Sequence, residues 1–526
     1  MLTNKPTTLL LLLSYTFLAC GPSFGQDKNQ KVDRPNIIYI LADDLGYGDV
    51  KSFNPKGKIA TPNLDTMAAN GIKFTDAHTS SAVCSPTRYG ILTGRYNWRS
   101  SLKSFVLSGY SKSLIKQERT TVAEMLKIQG YTTAYIGKWH LGWDWAIEDE
   151  NANLEHDKLN VNPKVDFSVP VKNGPSTHGF DYSFGFCGSL DMAPYVYIEN
   201  DRPTMVPTKT TVSVDDKGIW RKGLTSDDFV HATVLQDLTD KAVGYIEKNA
   251  KDSSPFFLYF PLPAPHTPIL PTTEFLGKSN TNMYGDFVMQ VDDVVRQIRE
   301  TLKSQGISEN TLLVFTSDNG CSPKADFKEL EKVDHDPSYV FRGTKADIFE
   351  GGHRVPFIVE WPSKGLKNAS SDKLICTTDF FATCAELTGY EIPDTEAEDS
   401  YSMLSLIKGT KDKDIREYIV HHSINGSFAI RQGDWKLSVC PGSGGWSYPR
   451  PQDIEKEKLD LPDMQLYNLK DDIGETKNRI EDNPKKAKEL KKALKKIILD
   501  GRSTPGVKQK NDGMEGWKQI EGIVTK

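Results

Sequence analysis

The chain has no basic excess. Its 65 Lys and Arg face 70 Asp and Glu, a net charge of −5 over 526 residues, so no surplus exists to neutralise a nucleic-acid backbone. Beyond its N-terminus it has no apolar run long enough to cross a bilayer, and no transmembrane span is expected. Cysteine is sparse. The seven positions, Cys20, Cys84, Cys187, Cys321, Cys376, Cys384 and Cys440, are too scattered for a dense disulfide framework, and mostly buried free thiols are expected. No internal repeat is visible. Aromatics are not lacking, at 10% within 38% hydrophobic residues, which excludes a disordered chain. The length exceeds one ordinary core, so two units of unequal size are expected.

The N-terminus carries a targeting signal. Lys5 precedes the apolar run Leu9 to Leu13, continued by Tyr15, Phe17 and Leu18 and then by small residues, the layout of a secretory signal peptide. Two endings are open. Leu18-Ala19-Cys20 resembles a bacterial lipoprotein box, which would place a lipid anchor on Cys20. Ser23-Phe24-Gly25 has the spacing ordinary signal peptidase reads, with the mature chain starting at Gln26. Residues 1–25 are assigned to targeting. The protein is expected in the periplasm, on the outer membrane as a lipoprotein, or secreted.

PNIIYIL at 35–41 is a continuous apolar run, the pattern of a strand buried on both faces. TLLVFTSDNG at 311–320, FFLYFPL at 256–262 and PFIVEWP at 356–362 share its form. Helical patterns lie between them at 62–70, 121–129 and 286–303. Strands alternating with helices predict an α/β fold with a large, doubly wound, mostly parallel sheet sandwiched by helices over 33–400. From about 415 the runs become short: REYIVHHSI, FAIRQGDWKLSV and MQLYNL, followed by a basic helix at 484–499 opened by Asn483-Pro484. Leu490, Leu494 and Ile497 share one face of that helix, so its lysines are expected on a solvated outer face. A small antiparallel sheet with this helix packed on it is expected over 415–526. The acidic stretch 391–399 is read as an exposed connector.

Two acidic clusters end two of the apolar runs, Asp43-Asp44 and Asp318-Asn319. Strand C-termini form the ligand crevice of open α/β sheets. Four oxygen ligands without His or Cys suit a hard cation such as Ca2+ or Mg2+. The plainer alternative is that each pair caps the turn that follows it. The sharpest motif is Cys84-Ser85-Pro86-Thr87-Arg88, followed by YGILTGRY. Here the sequence resembles the type I, formylglycine-dependent sulfatases of the alkaline-phosphatase-like superfamily, whose C-x-P-x-R motif directs oxidation of its cysteine by a separate maturation enzyme. The resemblance runs from PNIIYILADDLGYGD through TPNLDTMAANGIKFTDAH, GKWHLG, PHTP, TSDNG, RGTKADIFEGGHRVP and TTDFFATCAELTG to LYNLKDDIGETKN.

That resemblance implies a sulfuric ester hydrolase in which Cys84 becomes formylglycine, whose hydrate attacks sulfur. It implies one Ca2+ held by Asp43, Asp44, Asp318, Asn319 and the modified Cys84 side chain. Arg88 should hold the hydrate or an active-site carboxylate. Lys138 and His140 come from GKWHLG, His140 as the base that breaks down the intermediate. His266 of PHTP and Lys345 of RGTK should grip sulfate oxygens and protonate the departing alcohol. One departure is His353, where relatives often carry an aliphatic residue; it is read as a change in pocket detail.

The substrate expected is a sulfated saccharide cut from a polysaccharide, algal (such as ulvan) or glycosaminoglycan. The long insertion 143–221 mixes Trp143, Trp145, Tyr195, Tyr197, Trp220 and Arg221 with His178 and Asp191, and His178 and Asp191 are taken as substrate-binding residues. The alternative is that its aromatics form the loop's own small core. Rival readings are a generic arylsulfatase, a two-zinc phosphatase or phosphodiesterase of the same superfold, a non-catalytic carbohydrate-binding relative, and a hydrolase using unmodified Cys84. The two-zinc reading lacks a His after Asp318-Asn319-Gly320, where Cys321 stands.

Overall fold

The computed structural model describes residues 1–3, 34–148, 162–411 and 413–524. Residues 4–33, with Cys20 and most of the targeting segment, lie outside the described residues. Among those described, no helix is long and apolar enough to cross a membrane, and the six cysteines from Cys84 onward are free and buried.

A ten-stranded sheet forms the body. Its central strands run in the order Thr311–Ser317, Asn36–Ala42, Phe256–Pro261, Thr132–Lys138 and Tyr182–Phe186, all parallel. Phe357–Glu360 adds antiparallel beside Thr311–Ser317. The four apolar runs read from the sequence are thus strands of one sheet, and Asn36–Ala42 is buried along its whole length. Continuous apolar sequence is what a strand covered on both faces requires. The three helical patterns appear as Pro62–Asn70, Val122–Ile128 and Met283–Ser304. Pro62–Asn70 and Val234–Asn249 pack on Met283–Ser304, while Cys84–Thr93, Val122–Ile128 and Phe380–Thr388 form a second helical group.

Residues 419–468 form a four-stranded antiparallel sheet, and FAIRQGDWKLSV divides into the hairpin Phe428–Gln432 and Trp435–Ser438. The helix Pro484–Asp500 buries Leu490, Leu494 and Ile498 against this sheet. This second apolar cluster also takes in Tyr96, Trp98 and Cys376 from the larger part of the chain. The connector 391–399 is a correction. Residues 391–395 are exposed, but Ala397, Glu398 and Asp399 are buried. Arg99 donates to both oxygens of Asp399, at 2.7 and 2.9 Å, and Arg95 and Arg119 pair with Glu398. Partners some 300 residues away turn an acidic stretch inward.

Candidate active site

Four adjacent parallel strands end at one place. Asp43 and Asp44 follow Asn36–Ala42, and Asp318 and Asn319 follow Thr311–Ser317. Ala42 pairs with Ser317 in the register, so the two acidic clusters leave the sheet side by side. Lys138 is the last residue of Thr132–Lys138, with His140 two residues on, and His266 follows Phe256–Pro261. The site is the crevice at the strand C-termini.

Cys84 is the first residue of the helix Cys84–Thr93. Pro86 sits in the first turn, where a missing N–H costs nothing. The motif's spacing puts Cys84 and Arg88 four residues apart, on one helical face. The helix therefore points its positive end and both side chains into the crevice. Arg88 donates to Asp318 Oδ2 through Nε at 3.0 Å and a terminal nitrogen at 2.7 Å, and to the Lys138 carbonyl at 2.8 Å. Lys138 Nζ lies 2.5 Å from Asp43 Oδ2. Lys345 Nζ donates to Asp44 at 2.7–2.8 Å, and Asn319 Nδ2 donates to Asp44 Oδ1 at 2.7 Å. His266 Nε2 is 3.6 Å from Asp44 Oδ2. The loop bearing Lys345 is fixed by its own N–H to the Cys321 carbonyl and by Ala346 N–H to Ala82.

Two backbone details hold this packing. A Cβ on Gly320 would stand 1.8 Å from the Gly351 carbonyl, so the loops carrying Asn319 and the glycine pair approach only without a side chain. Asp44 and His140 both adopt positive φ, 64° and 54°, conformations that cost a non-glycine residue energy and cluster at functional sites.

The electrostatics are those of a crowded, dry site. Burial alone would raise Asp43, but Lys138, His266, Arg88 and Lys345 overturn it and hold the carboxyl well below the usual range. Burial and the neighbouring Asp43 push Asp318 up to about 7, against the pull of Arg88 and Lys138. Burial pushes the Cys84 thiol up to about 12. Burial, with Lys138 and Arg88, holds His140 neutral. His140 Nε2 faces the Leu107 carbonyl at 2.8 Å, which can only accept, so Nδ1 is left without a proton, and it has no partner.

The donor set fits a hard cation. Asp43 Oδ1 and Asn319 Oδ1 are buried oxygens with no protein hydrogen bond, which is costly unless something else binds them. Ligand atoms of Asp43, Asp44, Cys84 and His266 lie within 4.8 Å of one another. Asp, Asp, Asp and Asn oxygens suit calcium or magnesium.

Of the two substrate residues read from the insertion, the structure brings one here. Asp191 lines the cleft beside His266 and Lys345 and forms an ion pair with Arg221. His178 it leaves elsewhere: wholly buried, 3.4 Å from Ser113 Oγ, its carbonyl accepting from Thr121 Oγ1. Trp143, Trp145, Tyr195 and Tyr197 are likewise core, the loop-core alternative. His353 is no pocket residue either. Its ring stacks on His421 at 3.7 Å and its Nδ1 lies 3.0 Å from His78 Nδ1, beneath the C-terminal sheet. Two residues that the sequence reading did not single out adjoin the cleft: Trp446 lines it after the Gly442-Ser443-Gly444-Gly445 turn, and Asp347, two residues past Lys345, accepts from the Trp446 N–H.

A family model described as Sulfatase matches residues 35–390. The chain belongs to the sulfatase family. It is 31% identical to the N-acetylgalactosamine-6-O-sulfatase of Bacteroides thetaiotaomicron, over 91% of this chain and 96% of that protein. It is 29% identical to human arylsulfatase A, over 94% and 91%. A solved structure described under the metabolism of multiple glycosaminoglycans by Bacteroides thetaiotaomicron superposes with a TM-score of 0.75 at 30% identity, covering 88% of this chain and 99% of that one. The protein is a sulfuric ester hydrolase, built on the sulfatase fold.

Proposed function

We propose that this sulfatase is an exported enzyme that hydrolyses sulfate esters of a sulfated carbohydrate, with Cys84 converted to formylglycine and one Ca2+ beside it. The observation that carries the reading is the surrounding of Cys84: it opens a helix, its sulfur lies within 4.8 Å of ligand atoms of Asp43, Asp44 and His266, and Lys138, Lys345 and Arg88 reach the carboxylates beside it. A thiol held near 12 stays protonated at neutral pH and is a poor nucleophile. That weighs against unmodified Cys84 and favours its oxidation by a maturation enzyme to an aldehyde, whose hydrate would supply the attacking oxygen. Asp43, Asp44, Asp318, Asn319 and the modified side chain would hold the calcium, which would acidify that hydroxyl and offset sulfate charge.

The chain's other residues divide the remaining work. Lys138 and Lys345 place two buried positive charges where an anionic ester must enter. Arg88 fixes Asp318. His140, neutral with a bare Nδ1, is the proton acceptor. Lys345 and His266 face the ester oxygens, and one of them hands a proton to the departing alcohol. The net change is cleavage of a sulfur–oxygen bond by water to an alcohol and hydrogen sulfate.

The carbohydrate reading is supported by the B. thetaiotaomicron relative and by Asp191 and Arg221 in the cleft wall. Export is supported by the apolar N-terminal run. The test is turnover of sulfated mono- and oligosaccharides against nitrophenyl sulfate, with intact mass of the same sample. Sugar contacts remote from the ester should raise kcat/KM about tenfold or more over the aryl ester, and the mass should show the Cys84 thiol replaced. Faster turnover of the aryl ester would leave a generic arylsulfatase, and an active protein retaining the thiol would end the formylglycine reading.

A further inference from the structure

The catalytic cleft has a wall that no sulfate chemistry requires. From His266 and Lys345 it widens into about 1150 Å³, lined by Ile219, Trp220 and Arg221 near the end of the long insertion and by Trp446 and Arg450. Trp446 and Arg450 come from the chain after residue 415, a part that supplies none of the side chains named above for the ester-cleaving site. Trp446 is 44% exposed; of the nine tryptophans, it is the only exposed one. A large aromatic left in water loses the stabilisation of burial, and here it stands on the rim of the active-site cleft.

Its position is fixed from behind. Asp347, two residues after Lys345, accepts from Trp446 N–H at 2.7 Å and Ser447 N–H at 3.0 Å with one oxygen, and from Thr344 N–H at 2.8 Å with the other. Ile348 N–H donates to the Ser443 carbonyl at 2.8 Å. A Cβ on Gly445 would lie 2.4 Å from the Ala346 carbonyl, so the two loops touch backbone to backbone. One buried carboxylate therefore holds the backbone of Trp446 in fixed relation to the loop that carries Lys345.

We infer that Trp446 is the platform of a second sugar subsite, on which the unit next to the sulfated sugar stacks while its hydroxyls reach Arg450 and Arg221. This rests on the proposed carbohydrate substrate and extends it: a saccharide of two or more units is a better substrate than the sulfated monosaccharide alone. An apolar ring face stacks on an indole while its edge hydroxyls bond to charged groups at the rim. Arg450, paired with Asp453, and Arg221, paired with Asp191, leave guanidinium N–H groups at the rim that suit sugar hydroxyls.

The experiment compares N-acetylgalactosamine 6-sulfate with a disaccharide and a tetrasaccharide bearing the same 6-sulfated unit, in wild type, Trp446→Ala and Trp446→Phe. Trp446→Ala should lower kcat/KM for the longer substrates by about tenfold, chiefly through KM, and leave the monosaccharide within about twofold. Trp446→Phe should restore most of the loss. Because the indole is half in solvent and its loop is held by backbone hydrogen bonds, the variants should keep the wild-type Tm. Equal effects on mono- and oligosaccharides, or none on either, overturn the subsite. No turnover of any sulfated saccharide by the wild type, with the aryl ester still cleaved, overturns the carbohydrate reading beneath it as well.

Discussion

Asn319 has a carboxamide whose nitrogen is engaged, by Asp44 and by the Gly320 carbonyl, and whose oxygen is not. Asp43 likewise keeps one oxygen without a hydrogen bond, 3.6 Å from an Arg88 nitrogen, while the other meets Lys138. A buried acceptor without a donor costs about 1–3 kcal/mol, so these two atoms are where a cation would be worth most. Asp318→Ala is a poor probe of that cation, because it would strand Arg88 as an unpaired buried charge at a cost of about 3–5 kcal/mol. Asn319→Ala changes no charge and is the cleaner variant. It should raise the Ca2+ concentration needed for half-maximal activity by about tenfold or more, with most activity returning in excess Ca2+. Chelation of the wild type should abolish activity, and Ca2+ should restore it better than Zn2+. Full activity after exhaustive chelation would remove the metal from the mechanism. Much of this site was legible beforehand, because Asp43-Asp44 and Asp318-Asn319 end apolar runs and a parallel sheet brings such ends together. His178 was misplaced because a polar residue in a loop does not declare which way it faces.

Between the large sheet and the small one lies a cluster of charges and imidazoles. His78 and His353 come from the larger part and His421 from the strand Ile419–His422. Around them stand Asp76, Glu350, Arg354, Arg431, Lys436 and Glu475, with Arg431 donating to both oxygens of Asp76 and Lys436 bridging Glu350 and Glu475. Burial lowers all three imidazoles below their ordinary pKa; His421 and Lys436 deepen the effect at His353. The folded pKa values therefore lie below the unfolded value of about 6.5. The unfolded chain binds more protons as pH falls through 6.5, so the stability these groups provide is complete above that pH and is lost below it. Tm should fall from pH 7 to pH 5. His421→Phe, which keeps the stacked ring and removes one titrating group, should reduce the slope by up to about 1.4 kcal/mol per pH unit. A slope unchanged in the variant would mean that the cluster does not titrate on unfolding. Strands and helices were legible from period and run length, but this cluster was not. His78, His353 and His421 are as much as 343 residues apart in a chain that gives no local sign of their meeting, and His353 looked like a pocket change for that reason.

At the scale of the whole molecule, two sheets do not make two independent bodies. Tyr96 and Trp98 belong by sequence to the region after the Cys84 helix, yet they are buried in the C-terminal cluster, Trp98 against Phe428 and Trp517 and Tyr96 stacked on Trp98. Arg99 spans the same boundary, bound to Asp399 and to the Ile497 carbonyl, while Arg95 donates to the Lys510 carbonyl. Arg431 of the small sheet neutralises Asp76 of the large part. Removing residues 415–526 would expose two large aromatics, each burying about 150–250 Å², and would leave Asp76 and Glu350 without Arg431 and Lys436. Arg354 would then be left to serve both carboxylates, and loss of a partner from a buried ion pair is destabilising by several kcal/mol, a large share of the total stability of a folded protein. The expected calorimetric trace is one cooperative transition for the full chain. A chain ending at residue 414 should be insoluble or unfolded, and inactive toward even the simplest aryl sulfate. Two well-separated transitions, or a soluble and active truncated chain, would show instead that the small sheet is a removable appendage. The coupling would then be too weak for Asp347 to register Trp446 against Lys345, and the part of the cleft that Trp446 and Arg450 line would be free to move relative to the rest.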